Sequence, residues 1–244
     1  MFTIFDFLGI ICYDIRRFGG FMKIKLYDER NNKVIYNVGA PFDRGSYGVI
    51  YKINDDACLK NFYYGNVFET LNVMKDIRNL NLDNFYKIYD FLFDNNGDFC
   101  GYTMKYYQDE NIDIMTMPTD YLINNLRTIT NSVKRLTDKQ ICVIDLREHN
   151  VIMDKNNIIV IDVDLYNRKD YPLDYLNQIN TDAVYRMFIN LCYRTLDEKH
   201  FTTTYDMTYL TELFNYKEDT DIVSKKLVKY KYPIDYINEC RIKY

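Results

Sequence analysis

The stretch that decides the reading is Ile144-Asp145-Leu146-Arg147-Glu148-His149-Asn150-Val151-Ile152-Met153, followed after a short polar interval by Ile158-Ile159-Val160-Ile161-Asp162. Two short apolar segments, Cys142–Ile144 and Ile158–Ile161, predict strands, and each delivers an acid at its end. Asp145, Asn150 and Asp162 offer hard oxygen donors, with neither sulfur nor imidazole in the set. Such donors suit magnesium, which takes one or two carboxylates and completes its shell with water and substrate phosphates. Phosphoryl transfer asks for little beyond positioned oxygens, a metal and a group that accepts the proton of the nucleophile. Two solvated loop acids beside strand ends would give the same letters, so the neighbouring segments have to decide.

Upstream, Asp43-Arg44-Gly45-Ser46-Tyr47-Gly48-Val49-Ile50-Tyr51-Lys52 sets two glycines between predicted strands. Glycine lets a backbone approach a triphosphate and present its N–H groups to phosphate oxygens. The same G-x-x-G spacing also serves as a plain hairpin turn. Ala57-Cys58-Leu59-Lys60 follows on the next strand. A lone lysine on a strand ordinarily faces solvent. What raises its interest is the order in which the pieces come: glycine turn, strand lysine, helix, strand, polar loop with an acid, second acid.

In that order the segments resemble the protein-kinase-like superfamily. The catalytic loop of that family opens H-R-D-L and ends in Asn, and this chain has Val143-Ile144-Asp145-Leu146-Arg147-Glu148-His149-Asn150. The resemblance implies an α+β chain of two lobes. A small β-rich lobe would span residues 22–106, and a larger helical lobe residues 107–244, after an apolar extension 1–21. It implies ATP and magnesium as cofactors. Asp145 would be the base that orients the acceptor hydroxyl, Asn150 and Asp162 the metal ligands, and Arg147 a cation near the γ-phosphate. Gly45, Ser46 and Gly48 would form the phosphate loop, with Ile50 the apolar roof above the base. Cys58 and Lys60 would belong to the strand whose lysine meets the α- and β-phosphates, and Glu69 would be the ion-pair partner of that lysine. Met104 would stand at the gatekeeper position. Backbone groups around Lys105–Tyr107, Tyr106 at their centre, would hold adenine. Asp182, opening a helix, would bond the backbone of the catalytic loop.

The chain also departs from the family pattern. Asp43 stands where the first glycine of the phosphate loop is expected, and Asp164 where the glycine after Asp162 is expected. Acidic residues in the latter slot are a feature of small-molecule kinases such as the choline and aminoglycoside kinases. Val143-Ile144 replaces the H-R pair, so the arginine that receives an activation-loop phosphate is missing and the usual phospho-switch is not expected. No A-P-E sequence follows, and the interval from Asp162 to Asp182 is short. The resemblance covers Gly39 to Leu196. It points first to Ser/Thr hydroxyls of proteins as acceptors. A small-molecule acceptor is the alternative, and a nucleotide-binding scaffold without chemistry is a third reading.

The periodicity along the chain agrees with strands first and helices second. Lys23–Tyr27 and Lys33–Val38 flank the Glu29–Asn32 turn, and Val49–Ile53 and Ala57–Phe62 flank Asn54–Asp56. A helix is predicted over Val67–Leu80, then strands over Phe85–Phe93 and Phe99–Tyr106. Helical stripes follow at Tyr121–Leu136, Asp182–Leu196 and Tyr205–Tyr216.

Bulk properties exclude other classes. The 244 residues suffice for one large domain or two small lobes with a real core. The net charge of −4 gives no support to a nucleic-acid partner. Six scattered cysteines without a C-x-x-C pair match buried thiols in a reducing compartment, so a cytoplasmic location is expected. Two histidines leave little for a His-based zinc site or a Ser-His-Asp triad. Met1–Cys12 is apolar but interrupted by Asp6 and too short to span a bilayer. A terminal helix or strand packed on the body is expected there. Membrane-surface contact through residues 1–21 is a weaker alternative, and a natural start at Met22 is a third.

Overall fold

The computed structural model describes residues 22–63, 68–214 and 220–243, without the side chains of Phe68 and Glu69. The apolar extension 1–21, and every expectation placed on it, lies outside the described residues. The chain is a mixed α+β protein that divides into two compact units. Among the described residues, one holds 22–63 with Ile88–Tyr106, and the other 68–87 with 107–214 and 220–243.

The first unit is an antiparallel sheet of seven strands: β1 (Met22–Tyr27), β2 (Lys33–Val38), β3 (Asp43–Arg44), β4 (Gly48–Lys52), β5 (Ala57–Phe62), β6 (Ile88–Phe93) and β7 (Phe99–Lys105). Their order is β2-β1-β6-β7-β5-β4-β3. The β1–β2 turn is closed by Asp28, whose carboxylate accepts the N–H groups of Arg30 at 2.9 Å and Asn32 at 2.8 Å. This is the local chemistry by which aspartate favours turns. In β1, Ile24 and Leu26 are buried while Lys23 and Lys25 are exposed, the two-residue alternation of a strand with one wet face. Ile24, Leu26 and Val38 pack in one cluster with Val49, Tyr51, Leu59 and Leu92. Residues from opposite ends of the strand order share that core, so the sheet is curled.

The second unit contains α1 (Phe68–Leu80), α2 (Thr119–Thr137), β8 (Ile141–Cys142), β9 (Val151–Met153), β10 (Ile158–Val160), β11 (Asn167–Arg168), α3 (Leu173–Lys199), α4 (Asp206–Leu213), α5 (Thr220–Leu227) and α6 (Pro233–Lys243). Helices α2 and α3 pack together. The stripe Leu122, Leu126, Ile129, Val133 and Leu136 of α2 is buried as its spacing predicts. Phe188 of α3 stacks on Phe214 just beyond α4, with ring centroids 6.1 Å apart. Helix α6 is tied to α4 by Arg241, whose Nε and Nη2 donate to the fully buried Asp206 at 2.9 and 2.6 Å. No helix among the described residues is long and apolar enough to cross a membrane.

Several elements differ from the expectation: the strand expected over Cys142–Ile144 is Ile141–Cys142, and its partner Asn167–Arg168 was not expected at all. Helix α3 begins at Leu173, directly after Pro172, so Asp182 lies well inside a helix of 27 residues and does not open it. The buried stripe of its first turns runs Leu176, Asn180, Val184, and the polar Asn180 breaks the apolar pattern that marks a helix. Val151–Met153 is a strand, paired with β10, where a loop was expected. Phe85 stands outside β6 and bridges to Val160. Finally, residues 67–87 group with the second unit. Arg135 donates to the Leu80 carbonyl at 2.5 Å, Ser132 to that of Asp83 at 2.8 Å, and Arg168 pairs with Asp76.

Candidate functional site

The residues singled out from the sequence fall into two groups, one on each unit. In the first, strand register does the assembling. Ile50 lies opposite Lys60, Lys60 opposite Tyr102, and Cys58 opposite Met104. Directly opposed residues, and residues two apart on one strand, share a face. Ile50, Cys58, Lys60 and Met104 therefore line a single face of the sheet. The other face carries Val49, Tyr51 and Leu59 into the core cluster. Lys60 is only 3% exposed. It is not the solvent-facing lysine that an isolated strand position would predict. Burying an ammonium group is costly, so its place in the middle of a sheet needs a reason that a surface lysine would not. The Cys58 thiol is pushed up to about 12 by burial and lies 3.8 and 3.9 Å from the Met104 and Lys105 carbonyl oxygens.

The glycine turn is exposed at Gly45, Ser46 and Tyr47. It is closed by the Gly45 N–H donating to the Gly48 carbonyl at 3.0 Å. The two glycines have different reasons to be glycine. A Cβ on Gly48 would come within 2.5 Å of the Asn61 carbonyl oxygen, so strand packing alone demands it. A Cβ on Gly45 would meet nothing nearer than 4.0 Å, so packing leaves that position open. Asp43 turns its carboxylate back on its own strand, accepting the Arg44 N–H at 2.7 Å.

At the end of β7, one of the backbone groups expected to hold adenine is already in use. The Tyr106 N–H is committed to the Asp56 carbonyl at 2.8 Å. The ring meets Phe42 edge-on with centroids 5.9 Å apart, and the Lys52 ammonium sits 4.5 Å above it. The short hairpin after β4 delivers Asp56 to this amide, so Tyr106 cannot offer the same N–H to a ligand. Glu69 stands in the first turn of α1, and its side chain lies outside the described residues.

The second group is built around Asn150. A short 3-10 turn, Glu148–Asn150, buries this side chain. Its Nδ2 donates to the Asp145 backbone carbonyl at 2.8 Å and to Asp145 Oδ2 at 3.2 Å. Its own carbonyl accepts the N–H of Ile161, the residue before Asp162, at 2.9 Å. One residue thus ties together the two segments that carry the acids. Arg147 Nε lies 2.6 Å from Asp145 Oδ1 and takes up the other carboxylate oxygen. Asp145 and Asp162 both have left-handed backbones, with φ of 65° and 58°. For a residue other than glycine this costs about 1 kcal/mol, and such strain collects at functional sites.

Asp182 does not reach this loop. It pairs with Arg186 one turn along α3. The residue that does reach it is Asn180, two positions earlier and on the buried side of the helix. Asn180 Oδ1 accepts the Val143 N–H at 2.9 Å. Its Nδ2 donates to Thr137 Oγ1 at 2.8 Å and to the Ile141 carbonyl at 2.9 Å. The signal that could have found it is an asparagine on the i, i+4 line between Leu176 and Val184.

As a metal set, Asp145, Asn150 and Asp162 bring oxygen donors on neighbouring, mutually tied segments. Among the described residues no group of three or more His, Cys, Asp or Glu side chains is placed to hold an ion. By type, carboxylate and amide oxygens are the donors a hard cation prefers over the sulfur and imidazole of a zinc site. No protein-family model matches the chain, and no curated protein matches it at a significant level.

Proposed function

We propose that the chain is an ATP- and magnesium-dependent phosphotransferase, a divergent member of the protein-kinase-like superfamily with that family's bilobal fold. The observation that carries the reading is the double tie made by Asn150, to Asp145 through its side chain and to the residue before Asp162 through its carbonyl. The backbone half of the tie continues the β9–β10 ladder, and the side-chain half holds Asp145 to the start of that hairpin. The buried Lys60 on a face with Ile50, Cys58 and Met104 supports it independently.

On this reading Lys60 neutralises the α- and β-phosphates, and the open position at Gly45 leaves room for the phosphate chain. Asp162 and the side-chain oxygen of Asn150 hold magnesium, which when bound draws negative charge off the transferring phosphoryl group. Asp145 receives the proton of the acceptor hydroxyl. Its contact with Asn150 fixes one carboxylate oxygen, and Arg147 the other. Asn180 holds the backbone two residues upstream.

Ser/Thr hydroxyls of proteins are the first acceptor class. A small-molecule acceptor has a specific observation in its favour. Only residues 163–172 separate Asp162 from α3, and they are tied down. Tyr166 bonds back to Val163 at 3.0 Å, β11 pairs with β8, and the Lys169 N–H donates to Gln140 at 3.0 Å. Little chain is left over to form a platform for a peptide. Thermal unfolding with ATP, with and without magnesium, tests the nucleotide reading. A metal-dependent rise in melting temperature that disappears in Lys60→Met and in Asp162→Asn is expected. No shift in the wild type would sink the phosphotransferase and leave a scaffold.

A further inference from the structure

The chain enters α3 through Asp170-Tyr171-Pro172-Leu173-Asp174-Tyr175, every residue of which is exposed. Tyr171, Leu173 and Tyr175 are 39%, 47% and 53% exposed. Single apolar side chains on a surface are ordinary, but large ones gathered in so short a stretch mark a site of interaction. The Tyr171 and Tyr175 rings meet edge-on with centroids 5.4 Å apart, so each is held by the other. Leu176 and Asn180 take the buried side of the same turns. The strip is also charged. Among the described residues, neither the Asp170 nor the Asp174 carboxylate has a hydrogen-bond or ion-pair partner, and Lys169 pairs with neither. Arg168 is spent on Asp76 and the Lys139 carbonyl. No further cation comes before Arg186, which pairs with Asp182. An acid in the first turn of a helix is favourable in itself. That accounts for Asp174, but for neither Asp170 nor the exposed apolar side chains.

Two rings and a leucine set between uncompensated carboxylates complement a segment that carries both cations and apolar side chains. The stem of an arginine or lysine lies along a ring while its head meets a carboxylate. A polyanion is repelled, and a purely apolar segment covers the two charges without pairing them. We propose that residues 170–175 dock a basic and apolar segment of a protein partner, which on the phosphotransferase reading is the acceptor. The strip is fixed relative to the candidate base. From Asp174 to Asn180 is about 9 Å along the helix axis. Asn180 Oδ1 accepts the Val143 N–H at 2.9 Å, and Val143 lies two residues before Asp145. The strip and Asp145 are therefore within about 25 Å of each other, a span of about seven or eight extended residues. The docked cations then lie within about eight residues of the hydroxyl that receives phosphate. The segment after Asp162 is too short and too tied down for a peptide platform, and the start of α3 supplies a surface in its place.

The test is fluorescence anisotropy on the full chain without ATP or magnesium, with a fluorescein-labelled peptide that alternates arginine and leucine around a central serine. Asp170→Asn combined with Asp174→Asn is expected to weaken its binding about fivefold, as the loss of two exposed charge pairs does. Tyr175→Ser is expected to weaken it by about the same factor. Both variants should melt within about 3 °C of the wild type and keep its response to ATP and magnesium. A peptide with glutamate in place of arginine, and one with glycine in place of leucine, should each bind about tenfold more weakly or worse. A wild type that does not bind the arginine–leucine peptide, binding that survives both variants, or equal binding of all three peptides would overturn the proposal. The titration holds no nucleotide, so its failure is distinct from that of the phosphotransferase. A wild type that docks the peptide through the strip but shows no melting shift with ATP and magnesium keeps the docking surface and loses the transfer reaction.

Discussion

Replacing Asn180 by alanine should be among the most damaging single changes outside the apolar core, and the cost can be worked from its contacts. The side chain is fully buried and makes three hydrogen bonds, to Val143 N–H, Thr137 Oγ1 and the Ile141 carbonyl. At about 1 kcal/mol net for each, these amount to roughly 3 kcal/mol. The space left by the amide adds about 1 kcal/mol more. A loss of about 4 kcal/mol lies near the top of what single substitutions do. Asp182→Ala, which removes only a pair on the outer side of the same helix, should stay within about 0.5 kcal/mol. Urea unfolding followed by circular dichroism reads both. With a slope of about 2–3 kcal/mol/M, the Asn180→Ala midpoint should fall by roughly 1.3–2 M. A loss below about 1 kcal/mol for Asn180→Ala, or a larger loss for Asp182→Ala, would refute the placement of the loop before Asp145 on Asn180.

Further outcomes follow from the same geometry. A Cβ at Gly101 would lie 2.2 Å from the Lys60 carbonyl oxygen and one at Gly48 2.5 Å from that of Asn61. Gly101→Ala and Gly48→Ala should therefore each cost about 2 kcal/mol or more, while Gly45→Ala should melt as the wild type and change only the response to ATP. Burial opposes the ionisation of Asp206, but the hydrogen bonds from Arg241 and Thr203 together outweigh it and hold its carboxyl below the usual range. Its contribution to stability is then complete above about pH 4 and is lost as the pH falls through the lowered native value. Asp206→Asn should flatten that acid limb in a series of melting curves, and an unchanged limb would count against the Arg241 tie.

The strands were the most legible part of the sequence, because their signals are local. β1 and β2 follow alternation, β5 follows the turn residues before it, and the Asp28 turn is written in its own side chain. What was hidden depended on partners far along the chain. Asn167–Arg168 carries no apolar signal and is a strand only because it pairs with Ile141–Cys142. The first turns of α3 were obscured by Asn180, whose polarity is satisfied by groups 37 to 43 residues away. The same division holds in the candidate site. Asp145, Asn150, Asp162 and Lys60 were readable as residue types at suggestive spacings, and register and hydrogen bonds bring them together within each unit. Asn180 was not readable, since an asparagine in a helix looks like filler until its neighbours are known. The use of the Tyr106 amide was hidden for a related reason: nothing local marks it as taken by Asp56.

The most direct measurement is transfer of the γ-phosphate from ATP, with the wild type, Lys60→Met and Asp145→Asn compared in magnesium and in excess chelator against both a protein lysate and a panel of small hydroxyl compounds. Magnesium-dependent transfer to one of these acceptors, falling by about 10³-fold or more when Asp145 loses its charge and absent in Lys60→Met, is the expected result. Wild-type protein that transfers phosphate to no acceptor, or transfer that survives both substitutions undiminished, would contradict the assignment.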